Sequence, residues 1–186
     1  MPHTPPVVVS SQRLLEGRVF DVDRDRLQLA DGRQVDVDIV RHRASVVLIP
    51  MPSVNEIILV RQYRHAVGQW LWELPAGSSD PGEDPAAAAA RECHEEIGLR
   101  PATLTRLAEL FPTPGFCDES MVFYLAEGLH DPGHAAAQDE DEELEPRAFS
   151  LSELEAMSAR GEVQDMKTLV GLQLLATHTH SRRPAD

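Results

Sequence analysis

Glu92, Glu95 and Glu96 lie in the segment 86–99, AAAAARECHEEIGL, with Glu92 three and four residues before the other two. On a helix, that spacing puts Glu92 on the same face as both Glu95 and Glu96. Like charges held this close repel each other, and carboxylates in the C-terminal half of a helix also oppose its dipole. A divalent cation with oxygen ligands is the natural candidate to offset both costs, the ordinary alternative being a solvated acidic helix face. Such a cation neutralises anionic substrate oxygens and activates water.

The surrounding residues supply the element that would position these acids. Asp84 is a good N-cap, and Pro85 suits the first helical position, where a missing N–H costs nothing. Ala86–Ala90 are strong helix formers, and Gly98 can end the helix in a left-handed conformation. Upstream, Gly77, Pro81 and Gly82 break regular structure, so a loop is expected to lead into the helix.

Read whole, Gly77–Leu99 (GSSDPGEDPAAAAARECHEEIGL) resembles the Nudix box, G-x5-E-x7-R-E-U-x-E-E-x-G-U, where U is apolar. The fixed positions hold Gly77, Glu83, Arg91, Glu92, Glu95, Glu96 and Gly98, and the apolar ones hold Cys93, Ile97 and Leu99. The resemblance implies an α+β fold, the α/β/α sandwich of that family, and a Mg²⁺-dependent hydrolase in which Mn²⁺ can substitute. It implies Glu92, Glu96 and the backbone carbonyl of Ala76 as metal ligands, with Glu95 holding a second ion or ordering its water. Gly77, Glu83 and Arg91 are implied to be structural, the last two as an internal ion pair. Cys93 is expected to be a buried apolar residue and His94 to be exposed.

The flanks narrow the resemblance. RQYRHAVGQWLWELPAG before the box and FPTPGFCDE after it are similar to ADP-ribose pyrophosphatases, which carry a proline where Pro114 stands, fifteen residues after Leu99. That subfamily implies hydrolysis of ADP-ribose, or a related nucleoside-diphosphate sugar, to a nucleoside monophosphate and a sugar phosphate. Arg61 and Arg64 become candidates for bidentate phosphate contacts. The general base is implied to come from the acidic loop Asp139–Glu143, with Glu142 in the matching position, Glu140 as rival and Glu95 more distant. Tyr63, Trp70, Trp72 and Phe116 are candidates either to stack on a base or to fill core and interface. Two other readings stay open: a Nudix hydrolase of dinucleoside polyphosphates or oxidised nucleotides, and a Nudix domain that binds a nucleotide sugar without turnover.

Composition bounds the partners. Lys plus Arg is 17 and Asp plus Glu is 31, giving a net charge of −14. Such a chain is not expected to bind nucleic acid or an anionic membrane. The two cysteines suggest no disulfide framework, and no apolar run is long enough to span a bilayer, so a cytoplasmic protein is expected.

Along the chain, residues 1–10 are Pro-rich and expected to fray. Runs at 14–22 and 25–30, then 33–40 after the Asp31-Gly32 turn, predict a three-stranded antiparallel unit over 1–42. A catalytic domain is expected over 43–178 and a loose tail over 179–186. Strands are predicted at 44–49, 57–63, 70–74, 103–111, 120–128 and 147–150. A helix is expected from Leu151 with Ser152 as its cap, and a last one follows Asp165. In that last helix Met166, Leu169, Val170, Gln173 and Leu174 recur at helical spacing. A sheet as small as the N-terminal unit needs an apolar surface to cover: the resemblance implies that it builds a homodimer, the alternative being that it covers the catalytic domain of its own chain.

Overall fold

The computed structural model describes residues 4–134 and 143–181. The described residues divide into two compact units, those within Met1–Ala44 and Phe111–Ser120, and those within Ser45–Leu110 and Met121–Asp186.

The first unit is an antiparallel sheet in the order β1-β2-β3, formed by β1 (Val7–Glu16), β2 (Phe20–Gln28) and β3 (Gln34–His42). The turn between β2 and β3 is the expected Asp31-Gly32 one, with Gly32 at φ 86°. The turn between β1 and β2 differs from expectation. The run expected as one strand over 14–22 is split at Gly17, and the N-terminal residues from Val7 onward are paired to β2 rather than frayed. Charge pairing explains the register: Arg13 bonds Asp21 and Asp23, Arg24 forks onto Asp38 at 2.7 and 2.9 Å, and Arg26 forks onto Asp36 at 2.8 and 3.0 Å. Opposite charges facing across neighbouring strands favour one alignment over its slipped alternatives. Segment 111–120 joins this unit through Val40, whose N–H donates to Phe116 O at 2.8 Å and whose O accepts from Asp118 N at 3.1 Å.

The second unit is layered. Its four-stranded sheet runs β7-β4-β9-β8, from β4 (Ser45–Pro50), β7 (Ala76–Ser78), β8 (Thr103–Leu110) and β9 (Met121–Glu127), with β4 and β9 parallel. A three-stranded antiparallel sheet, β10-β5-β6, comes from β5 (Glu56–Arg64), β6 (Gln69–Glu73) and β10 (Glu145–Ser150). The period of two along β4 and β9 creates two cores. Val46, Leu48, Val122, Tyr124 and Ala126 pack against Ala88, Ala89 and Cys93 of α1 (Pro85–Ile97). Val47, Ile49, Phe123 and Leu125 pack on the other side, with Leu154 and Met157 of α2 (Leu151–Ala159) and Leu175 of α3 (Met166–Ser181). Alternate residues of one strand point to opposite faces, so continuously apolar strands need a layer on each side. The result is the α+β arrangement expected, a sheet between helices.

Two local expectations are corrected. α2 is capped by Ser150, not Ser152: Ser150 Oγ accepts the Glu153 N–H at 3.2 Å. The inward face of α3 only partly follows the apolar stripe: Val170 and Leu174 pack against the core. Lys167, Thr168, Gly171 and Leu175 are buried, while Met166 and Leu169 are exposed. Gly171 explains the rotation, because a Cβ there would meet Leu74 Cδ1 at 2.3 Å, so the helix lies close to Leu74 on that face. Among the described residues, no helix is long and apolar enough to cross a membrane.

Candidate active site

α1 begins and ends as its sequence dictates. Asp84 accepts the Ala87 N–H at 3.1 Å, Pro85 opens the helix, and Gly98 closes it at φ 73°, donating its N–H to His94 O. Ala88, Ala89 and Cys93 face the sheet, and burial pushes the Cys93 thiol up to about 12. The same helix face carries Glu92 and Glu96 inward, at 9% and 7% exposure.

Both acids reach the backbone that enters β7. Glu96 Oε1 accepts the Ala76 N–H at 3.1 Å. A Cβ built on Gly77 would lie 2.1–2.3 Å from the carboxyl atoms of Glu92. Gly77 thus leaves the space in which that carboxylate sits. It does so from a short strand paired to β4, not from the loop expected, because Leu48 N–H also bonds Pro75 O and draws the segment against the sheet. Glu92, Glu96 and the Ala76–Gly77 backbone therefore meet, and the contact that Ala76 makes with Glu96 is through its N–H.

Arg91 secures the rim. Its Nε and Nη2 fork onto Glu83 at 3.1 and 3.0 Å, Nη2 also reaches Ser78 O at 3.1 Å, and Nη1 bonds Glu92 at 2.6 Å and Glu95 at 2.8 Å. Glu83 accepts Asp80 N–H as well at 2.9 Å. The Arg91 hydrogen bonds and that backbone bond hold the Glu83 carboxyl below the usual carboxylate range, and Glu83 in turn leads the set that raises the Arg91 guanidinium. Glu83 and Arg91 join the loop to the helix. Glu95 sits at the edge, its side chain 31% exposed.

The donor set fits a hard, water-keeping divalent cation. Among the described residues, no three His, Cys, Asp or Glu side chains form a metal cage by themselves. Two buried carboxylates are hard oxygen donors, and that chemistry suits Mg²⁺ better than a soft or fully caged metal.

The candidate phosphate contacts stand on β5. Arg64 lays its Nε and Nη2 on Glu73 at 2.8 and 2.7 Å. That pair raises the Arg64 guanidinium, to which Asp165 and Glu96 contribute more weakly. Arg61 lies 5.3 Å from the Trp70 ring centroid and 3.7 Å from Glu145. Of the aromatic candidates, Trp70 stacks obliquely on Tyr63 at 5.6 Å and Trp72 meets Phe149 edge-on at 4.8 Å. Phe116 lines a cleft of about 430 Å³ in the first unit, with Val37, Ile39, Arg41, Phe111 and Pro114.

The expected exposure of His94 is corrected. It is 5% exposed, its Nε2 lies 3.0 Å from His134 O, and its ring meets that of His134 edge-on at 5.0 Å. The chain after β9 covers this part of α1: Leu129 joins the core, and Arg100 and His130 exchange two 2.9 Å backbone bonds. Glu140 and Glu142 lie outside the described residues. Glu73 and Lys167 were missed from sequence. The signal available was an acid inside the apolar strand WLWEL, since a buried charge requires a partner elsewhere.

Comparison with known proteins follows the geometry. A family model described as NUDIX domain matches residues 41–170. An ADP-ribose pyrophosphatase of Mycobacterium tuberculosis is 37% identical over 91% of this chain and 82% of its own. A methanol dehydrogenase activator of Bacillus methanolicus is 33% identical over 90% of each. A crystal structure of an ADP compounds hydrolase superposes with a TM-score of 0.86 over the whole of both chains, at 22% identity, which shows the fold alone.

Proposed function

The chain belongs to the Nudix family and is a pyrophosphohydrolase of the ADP-ribose pyrophosphatase-like kind, and on that premise we propose that it cleaves ADP-ribose or a closely related nucleoside-diphosphate sugar. The observation carrying the reading is the meeting of Glu92, Glu96 and the Ala76–Gly77 backbone. The M. tuberculosis relative and the flanks around Arg61, Arg64 and Pro114 favour ADP-ribose within the family.

In this proposal Glu92, Glu96 and the Ala76 carbonyl hold Mg²⁺, or Mn²⁺ in its place, and Glu95 serves a second ion or its water. The metal, when bound, neutralises the diphosphate oxygens and lowers the pKa of a water. Arg61 and Arg64 orient the diphosphate. Glu142 takes a proton from the attacking water, with Glu140 as the alternative. Water adds to one phosphorus, the bridging P–O bond breaks, and AMP and ribose 5-phosphate leave.

A hydrolysis panel with product identification tests this. ADP-ribose should be turned over fastest, with some tolerance of other nucleoside-diphosphate sugars. Nucleoside triphosphates or dinucleoside polyphosphates as clearly better substrates would overturn the assignment, and binding without turnover would make this a sensing domain. On the same substrate, Glu142→Gln should lower kcat by ~10²–10⁴-fold. A large loss in Glu140→Gln alone moves the base to that residue.

We further propose a homodimer through the N-terminal β-unit, residues 1–42, alongside a catalytic domain over 43–178. All ten residues of β1 are exposed, Val7, Val8 and Val9 at 64%, 55% and 50%, and β1 is an edge strand. An apolar open edge invites a partner strand, and a second copy satisfies it by symmetry. Light scattering at micromolar concentration should give a dimer mass; a monomer ends the proposal.

A further inference from the structure

A buried charge cluster at the start of α3 has no part in the chemistry above. Lys167 is the only lysine among the 17 Lys and Arg residues, and it is 8% exposed. Its Nζ donates to Glu73 Oε2 and lies 3.2 Å from Asp165 Oδ2. Glu73, itself 2% exposed, is the carboxylate on which the Arg64 fork rests. One interior carboxylate thus links a buried ammonium to a guanidinium whose side chain is 42% exposed. Thr168 closes the corner: its N–H and Oγ1–H donate to Asp165 at 2.9 and 2.6 Å, and its Oγ1 accepts the Leu74 N–H at 2.8 Å. Leu74 directly follows Glu73, and Ala76 lies two residues further on.

Stability alone is a poor reason for such a cluster. Desolvating an ammonium and a carboxylate costs about what their attraction returns, and packed apolar residues would serve the fold as well. The cluster does constrain Arg64. Glu73 engages Nε and Nη2, while Nη1 has no hydrogen-bond partner among the described residues. A carboxylate held by Arg64 alone could swing with it. Lys167 pins Oε2 from inside, and its compact point charge suits an interior site that a planar guanidinium fork would not. Burial works to raise the Glu73 carboxyl, but the Arg64 and Lys167 contacts outweigh it and leave the group below the usual range, so it stays anionic.

We propose that Lys167 is a positioning residue: by pinning the Glu73 carboxylate, it holds the Arg64 guanidinium side-on and leaves Nη1 for a phosphate oxygen of the substrate. This rests on the phosphate-binding reading of Arg64 given above.

The test compares full-length wild type, Lys167→Met, Arg64→Ala and the double variant. It uses ADP-ribose, or the nucleoside-diphosphate sugar turned over fastest. Steady-state rates with Mg²⁺ are set beside calorimetric binding of the same nucleotide in EDTA. Lys167→Met should raise KM about tenfold with kcat within about threefold, as expected when a charged hydrogen bond to the ground state is misplaced. Binding in EDTA should weaken by the same factor. The double variant should be no worse than Arg64→Ala, since both act on one contact. If Arg64→Ala raises KM while Lys167→Met does not, or if the two losses add, the positioning role is overturned and the phosphate reading stands. An unchanged KM in Arg64→Ala overturns that reading and the proposal with it. Should Lys167→Met fail to fold, Glu73→Gln takes its place, with the same KM rise and the same non-additivity expected.

Discussion

Glu96→Gln is expected to lower turnover about a hundred- to ten-thousand-fold, the effect of losing several kcal/mol of charge stabilisation in the transition state. The fold should survive. Glutamine keeps an oxygen that can accept the Ala76 N–H now bonded to Glu96 at 3.1 Å. It also removes one of two like charges on a buried helix face, so the thermal midpoint should hold or rise slightly. What is lost is the formal charge that a hard cation requires of its ligands. Glu92→Gln should cost similar turnover but differ in stability, because it also gives up a charged bond to Arg91 at 2.6 Å. The measurement is kcat at saturating Mg²⁺ beside a thermal melt. Near-normal turnover in both variants would refute the metal assignment.

The legible part of the site is the part encoded by local chemistry. Asp84, Pro85 and Gly98 bound α1 in sequence as they do in space, and the spacing of Glu92 and Glu96 sends both to one face. The Glu83–Arg91 pair was expected from the resemblance to the Nudix box, and it forms between a loop and a helix adjacent in the chain. The parts misread depend on residues far apart. Hydrophobic periodicity marked Met166 and Leu169 as members of the apolar repeat in α3, yet both are exposed, while Lys167 and Thr168 are buried because Glu73 and the Leu74 N–H, brought by β6, meet them there. His94 looked like a spare polar residue on an acidic helix until the chain around 129–134 covered it. Gly77 read as a loop breaker, a reasonable use of glycine, but its role is to have no Cβ. In each case a polar or small residue is explained by a distant partner, which a periodic pattern does not report.

That role of Gly77 gives the second large effect expected. Gly77→Ala should lower kcat/KM more than a hundredfold, with little change in stability. The backbone will accept alanine, since Gly77 is not among the glycines at positive φ and sits in a strand paired with Val46. The added methyl instead falls 2.1–2.3 Å from Glu92 Cδ, Oε1 and Oε2, well inside van der Waals contact. Those atoms are the far end of a flexible side chain, so Glu92 should rotate aside rather than force the strand off the sheet. The fold then keeps its core while the site loses one of its two buried carboxylates. Two readouts separate this from general damage. The thermal midpoint should move by no more than a few degrees, as expected when under about 1 kcal/mol is lost. Mn²⁺ affinity, followed by titration calorimetry, should fall along with activity. The decisive comparison is the double variant with Glu92→Gln. If Gly77→Ala acts only by displacing Glu92, combining the two should cost no more turnover than Glu92→Gln alone, because the same contact cannot be lost twice. Full activity in Gly77→Ala, or losses that multiply in the double variant, would mean that the close approach of Gly77 to Glu92 is not what the reaction requires.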